Sequence, residues 1–246
     1  MDEQMERAGN FLPRVEEEGV SRSNEVDRRV VSLTAPASVA AEQYRTLYYR
    51  LERMREVRPM KVIAVTSAVA GEGKTITAVN VALTAARANL DRRILLVDAD
   101  LRHNQVALAL GIRSRPGLSE LLAGECEATD VIRRFQSTRL AVVPAGAPPE
   151  DSSQVLASAR MKQILAKMRE AFDEIYFDLP PALPFADAAI TAAMADGVVL
   201  VIRANATPLG AVSEALERLA GAAVVGCVLN GAEAGMGPYL RPYARR

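Results

Sequence analysis

Met60-Lys61-Val62-Ile63-Ala64-Val65-Thr66-Ser67-Ala68-Val69-Ala70-Gly71-Glu72-Gly73-Lys74-Thr75-Ile76-Thr77-Ala78-Val79 is the stretch on which the reading of this chain turns. Val62 to Val65 is a short apolar run of the kind that forms a strand buried on both faces, ending at Thr66 and Ser67. A loop of small residues follows, and Lys74-Thr75 then opens a helix running through Asn80 and Leu83. Strand, flexible loop and helix N-terminus are the parts of a phosphate cradle. Gly71 and Gly73 allow several backbone N–H groups to converge on one anion. Lys74 supplies a point charge for the β- and γ-phosphates, and the Thr75 hydroxyl can ligate Mg²⁺. The spacing G-x-x-x-x-G-K-[ST] is met except at its first position, held by Ala68. The nucleotide-binding set expected here is Ala70, Gly71, Glu72, Gly73, Lys74, Thr75 and Ile76, with ATP and Mg²⁺ as the implied ligands.

Working outward, apolar strands alternate with helical stretches. Ile94 to Val97 ends in Asp98-Ala99-Asp100-Leu101-Arg102, and Leu140 to Val143 is a third strand. Glu174 to Phe177 is a fourth, ending in Asp178-Leu179-Pro180-Pro181, and Val198–Ile202 and Val224–Leu229 complete the set, the last ending in Asn230. Helices are expected over 74–83, 105–110, 119–123, 152–158, 161–172, 187–195 and 208–220. This alternation predicts an α/β nucleotide-binding fold with a mostly parallel sheet and helices on both faces. In such sheets ligands sit at the carboxyl ends of the strands, so Asp98, Asp100 and Asp178 should gather near Lys74. One aspartate ending a strand is ordinarily a solvated cap. Two such strands beside a phosphate cradle point instead to phosphoryl transfer, which needs a cation on the phosphates and a group to orient the nucleophile. His103 reads as an ordinary surface or packing residue.

The remainder bounds the function. The 246 residues carry 30 basic and 30 acidic side chains, so nothing suggests a surface that coats nucleic acid. With one histidine and two distant cysteines, Cys126 and Cys227, a Ser-His-Asp triad or a His/Cys metal site is excluded. No apolar run approaches 18 residues and the first residues are highly charged, so the expectation is a cytoplasmic protein. Residues 1–35 read as a disordered arm, 36–234 as one nucleotide-binding domain, and 235–246 as a flexible tail rich in Gly and Pro. Ala37 to Val57 reads as an amphipathic helix with Ala40, Tyr44, Leu47, Leu51 and Met54 on its apolar stripe. Its other face serves the domain surface or a subunit contact.

Three stretches carry a family resemblance. Ser67 through Thr75 resembles the Walker A motif of the bacterial tyrosine kinases that act in capsule and exopolysaccharide production. Ile94 through Arg102 resembles that family's D-x-D-x-R element (Walker A′), and Ile175 through Pro181 its Walker B. Ala41 to Leu47 and Val225 to Asn230 agree as well. The resemblance implies a protein-tyrosine autokinase that uses ATP and Mg²⁺. Lys74, Asp98, Asp100 and Asp178 would be its catalytic set, and Thr75, Asp98 and Asp178 its metal set. Arg102 and Asn230 would join the nucleotide contacts, with Asn230 reading adenine and Asp98 contacting the attacking hydroxyl. It further implies tail acceptors Tyr239 and Tyr243, a homo-oligomer, and a separate membrane protein of polysaccharide chain-length control as activator. That partner would place the protein at the inner membrane. Three positions depart from the family pattern. Leu179 replaces a hydroxyl residue, Tyr48 stands for the second Arg of E-x-x-R-x-x-R, and the tail holds two tyrosines rather than a cluster. The alternatives are a weak or inactive ATP-binding scaffold of the same system, and a partitioning ATPase of the MinD/ParA type, whose signature lysine is here Val69.

Overall fold

The structure is a computed structural model that describes residues 25–135 and 138–232, with the backbone of Glu17–Glu18. In chain order the elements are β1 (Glu17–Glu18), α1 (Val31–Thr34), α2 (Val39–Val57), β2 (Val62–Ser67), α3 (Lys74–Ala88), β3 (Ile94–Asp98) and α4 (Gln105–Leu110). There follow α5 (Leu118–Ala123), α6 (Ala128–Val131), β4 (Arg133–Phe135), β5 (Leu140–Val143), α7 (Ser152–Leu156) and α8 (Ala159–Ala171). The chain closes with β6 (Glu174–Asp178), α9 (Asp187–Ala192), β7 (Gly197–Arg203), α10 (Leu209–Arg218) and β8 (Val224–Asn230).

One sheet runs β1-β4-β5-β3-β6-β2-β7-β8, parallel throughout except between β4 and β5. Every residue of β2, β3, β5 and β6 is buried, which is why these strands read as unbroken apolar runs rather than as alternating ones. Their side chains divide by parity. Val62, Ala64, Leu95, Val97, Ile175 and Phe177 join the core on one face, and Ile63, Val65, Ile94, Leu96 and Tyr176 the core on the other. Helix α3 packs on the second face through Ala78, Val79, Ala82 and Leu83. The order places β2 between β6 and β7, and β6 between β3 and β2. The carboxyl ends that carry Thr66, Asp98 and Asp178 are therefore adjacent.

The structure departs from the sequence reading in three places. Helix α2 starts at Val39, capped by the Ser38 hydroxyl, and buries Ala41, Tyr48 and Leu51, while Met54 is exposed. Its buried stripe is thus rotated from the expected one, because Tyr48 is drawn inward by Asn89 and Glu174, which other elements supply. The antiparallel strand β4 was too short and too basic to register. Finally, the arm is ordered well before residue 35. Val30 is buried, and Ser32 donates its N–H to Asn80 Oδ1 at 2.8 Å and stands 3.1 Å from the Thr84 hydroxyl. An acidic composition concealed a short apolar segment with buried hydrogen-bond partners. The expected acceptors Tyr239 and Tyr243 and the tail beyond residue 232 lie outside the described residues.

Candidate active site

The cradle follows from its glycines. Gly71 and Gly73 sit at φ +83° and +96°, left-handed values that residues with a Cβ rarely adopt. Gly73 is the N-cap of α3, which opens with no side-chain cap and no acid in its first turn. Its first N–H groups therefore remain available to an anion, in the direction the helix dipole favours. Glu72 faces away from that anion position. Its buried carboxylate accepts from Val69 N–H at 2.9 Å and from the Thr207 hydroxyl, tying the loop to the segment after β7. Asn230, ending β8, donates to the Glu72 carbonyl at 2.8 Å, and a Cβ on Gly73 would lie 2.1 Å from its side-chain nitrogen. Asn230 therefore packs directly against the cradle, as a residue that reads a bound base would need to.

At the floor, Lys74 Nζ lies 2.9 Å from Asp100 and 3.6 Å from Asp178. Burial works against the lysine's charge, but Asp178 and Asp100 outweigh it and hold its pKa above the ordinary value. The carboxylates bear the cost. Asp178 is fully buried, and both of its oxygens lack a hydrogen-bond partner. Burial pushes its pKa up to about 6, against the pull of Lys74 and Thr75. Asp98, paired in register with Asp178 across the two strands, is raised well above the carboxylate range by burial and by that neighbour. Its two oxygens accept from Asp100 N–H at 3.2 Å and Val106 N–H at 3.1 Å. Asp98 thus braces the turn into α4, whereas Asp100 faces the open cavity.

That cavity, of about 310 Å³, has Lys74, Thr75 and Asp100 at its floor and Pro181, Pro184 and Phe185 along one wall. A broader groove beside Arg50, Met54 and Val225 lies away from the carboxylates. Asp98, Asp178, Arg102 and Asn230 do not line the cavity. Arg102 is turned to Asp187, bonding it at 3.0 and 3.3 Å, and stacks 4.0 Å over the Phe185 ring. It locks the D-x-D-x-R turn to the start of α9 rather than pointing into the cradle. Leu179, at the position that departs from the family pattern, is fully buried in the hydrophobic core. Sequence reasoning missed His103, whose Nδ1 is 3.2 Å from Asp100, and the Asp27–Arg29 pair, both at the cavity wall. No strand-end rule points to either.

Among the described residues no group of three or more His, Cys, Asp or Glu side chains is placed to hold a metal by itself. Mg²⁺ keeps several waters and binds through one or two carboxylates and the substrate's phosphates. The unpartnered Asp178 carboxylate beside the Thr75 hydroxyl supplies such a carboxylate.

Comparison with known proteins agrees with this geometry. Residues 60–222 match the model of an AAA domain family. The chain is 34% identical over 213 residues to the tyrosine-protein kinase YwqD of Bacillus subtilis, covering 86% of this chain and 89% of that one. It is 35% identical to the succinoglycan biosynthesis transport protein ExoP of Rhizobium meliloti over 81% of this chain, but spans only 26% of that longer protein. The kinase domain of the Escherichia coli tyrosine kinase ETK superposes with a TM-score of 0.77 at 29% identity, over 94% of both chains. No helix among the described residues is long and apolar enough to cross a membrane.

Proposed function

The chain belongs to the bacterial tyrosine kinase family, and from that premise we propose that it is an ATP- and Mg²⁺-dependent protein-tyrosine autokinase of a polysaccharide export system. The observation that carries this reading is the convergence of Lys74 on Asp100 and Asp178 at the mouth of an anion cradle. In this reading Lys74 and the first N–H groups of α3 hold and neutralise the β- and γ-phosphates. Thr75 and Asp178, with Asp98 behind them, would hold Mg²⁺, which would supply charge neutralisation on the phosphate oxygens. The resemblance gives the contact with the tyrosine hydroxyl to Asp98, but Asp98 does not line the cavity, so in this reading Asp100, the carboxylate that does, orients that hydroxyl. The phenolic oxygen bonds to the γ-phosphorus as the bond from that phosphorus to the ADP oxygen breaks, and the phenolic proton leaves to a carboxylate. Asp98, braced by backbone N–H groups from Asp100 and Val106, acts through the position it gives Asp100. Asn230, packed on Gly73, reads the base. Arg102 positions the turn through Asp187.

The finer assignments rest on family membership and chemistry. Tyr239 and Tyr243 are the acceptors, presented to a neighbouring copy in a homo-oligomer. The activator is the cytosolic segment of a separate membrane protein of chain-length control, which brings the kinase to the inner membrane. The scaffold alternative keeps the support it drew from Leu179, which lies in the core and offers no hydroxyl to the metal position. The partitioning-ATPase alternative shares the fold but has Val69 where its lysine should be. The test is to incubate purified protein with Mg·ATP, with and without the cytosolic segment of a candidate partner, and map phosphotyrosine by mass spectrometry. The expected result is phosphate on Tyr239 and Tyr243 that the partner segment increases. Mg·ATP binding with no phosphotyrosine under either condition contradicts the kinase and leaves the scaffold.

A further inference from the structure

The segment before α1 forms part of the site, although nothing in the cradle motifs requires it. Asp27 N–H bonds the Ala109 carbonyl at 3.0 Å, fastening the segment to α4. Asn80, on the cradle helix and fully buried, donates to the Arg29 carbonyl at 3.0 Å and accepts from Ser32 N–H. Arg87 adds a bond to the Ser32 carbonyl. These ties place Asp27 and Arg29 on the wall of the cavity whose floor holds Lys74 and Asp100.

Arg29 is pre-oriented there. Asp27 takes its Nε at 3.1 Å and its Nη2 at 2.6 Å, so one edge of the guanidinium is held. Among the described residues Nη1 has no hydrogen-bond partner, and the side chain is 73% exposed. Pro181, Pro184 and Phe185, which also line the cavity, are apolar and suit a flat ring. Asn230 and the β8 end do not line this cavity, which leaves its Asp27–Arg29 side open to an acceptor. An aromatic ring entering along the prolines and Phe185 carries its hydroxyl toward Lys74 and Asp100. After transfer, that hydroxyl bears a dianionic phosphate in a cavity that also holds a half-occupied guanidinium.

We propose that Arg29 is a phosphotyrosine-binding residue, positioned by Asp27, that retains the phosphorylated tail of a second copy of this chain on the Asp27–Arg29 side of the cavity. This deepens the kinase reading and rests on it. Guanidinium recognises phosphate through two parallel N–H bonds, which a lysine cannot reproduce. Arg29 therefore sets how long phosphorylated product stays bound.

The test uses the full chain loaded with Mg·ADP and two synthetic peptides of residues 235–246, one phosphorylated at Tyr239 and Tyr243 and one unmodified. Fluorescence anisotropy is expected to show the phosphopeptide bound more tightly by the wild type. Arg29→Ala should weaken the phosphopeptide by about tenfold and leave the unmodified peptide unchanged. Arg29→Lys should recover only part of the loss, and Asp27→Asn should give an intermediate loss. Circular dichroism of each variant establishes that it folds. Equal binding of both peptides to the wild type, or a phosphopeptide affinity that does not depend on Arg29, overturns the proposal. ATP affinity, measured in parallel, separates the two readings. A wild type that binds no Mg·ATP overturns the kinase itself, whereas one that binds it with Arg29 immaterial to phosphopeptide overturns only this inference.

Discussion

Strand β6 has a buried carboxylate at each end, and the two ends are built on opposite principles. Glu174 opens the strand and is almost fully paired. Arg55 lies 2.6 Å from one oxygen and Arg92 2.8 Å from the other, the Tyr176 hydroxyl donates at 2.7 Å, and Tyr48 stands at 3.4 Å. Asp178, four residues later, has Lys74 3.6 Å away and the Thr75 hydroxyl beside it, and neither oxygen makes a hydrogen bond of good geometry. A fully satisfied buried ion network fixes a structure, whereas a half-satisfied one is a standing cost. The first joins α2 to the sheet. On the proposed function a cation and phosphates would complete the second when they bind, and that difference would separate a structural carboxylate from a functional one on the same five-residue strand.

Substitutions at the two ends should therefore fail in different ways. The largest effect on chemistry is expected at Lys74. Lys74→Met should lower tyrosine phosphorylation roughly a hundred- to thousandfold, as loss of one oriented charge does at such sites, with the fold kept. Phosphotyrosine immunoblots alongside thermal melts check this, and wild-type phosphorylation breaks the cradle assignment. At the other end, Glu174→Ala leaves Arg55 facing a buried void and should cost about 3–5 kcal/mol. Its melting temperature should fall by roughly 6–20 °C, while the protein still folded at low temperature binds ATP normally. A melt unchanged from wild type would falsify the structural role given to Glu174.

Asp178→Asn inverts that pattern, and the sign follows from its pKa. A carboxylate whose folded pKa is raised to about 6 holds its proton longer in the folded state than in the unfolded one. The folded state therefore loses stability as pH rises from near 4 through 6, and remains penalised above that, by an amount of order 2–3 kcal/mol. Removing the charge should raise the melting temperature of the ligand-free protein at pH 7.5, with little gain at pH 4, and should lower turnover by less than Lys74→Met does. Melts across that pH range check it, and a gain that grows toward low pH reverses the account. The smallest effect is expected at Asn230→Ala, which loses one neutral hydrogen bond to the loop. ATP affinity should fall by about fivefold with the transfer rate on saturating ATP preserved. Titration calorimetry and kcat measured together distinguish this from a catalytic role.

Much of this was legible in the sequence, and the limits have physical causes. The central strands were readable because burial on both faces leaves no polar interruption, and each ends in a carboxylate or hydroxyl at the site. The cradle was readable because its glycines, lysine and threonine are local in sequence. Arg102 and Tyr48 were not, because their partners, Asp187 for the one and Glu174 for the other, lie 85 and 126 residues away. Nor was the wall made by Asp27 and Arg29, since an acidic stretch with few apolar residues gives no sign of the Asn80 contacts that order it. Tyr48 marks the difference well. Placed by motif alone it is a missing arginine on a contact face, but in the fold it is fully buried in the Glu174 network.

The most direct test of the contrast along β6 is one pair of melting curves, wild type and Asp178→Asn, each recorded at pH 7.5 without ligand and with saturating Mg·ATP. Without ligand the variant is predicted to melt higher, because it lacks a buried, unpartnered charge. With Mg·ATP the order should reverse, since only the wild type can couple the bound cation to its fold. A variant that melts lower than wild type without ligand, or gains as much from Mg·ATP as wild type does, contradicts the assignment of Asp178 as the carboxylate held open for the metal.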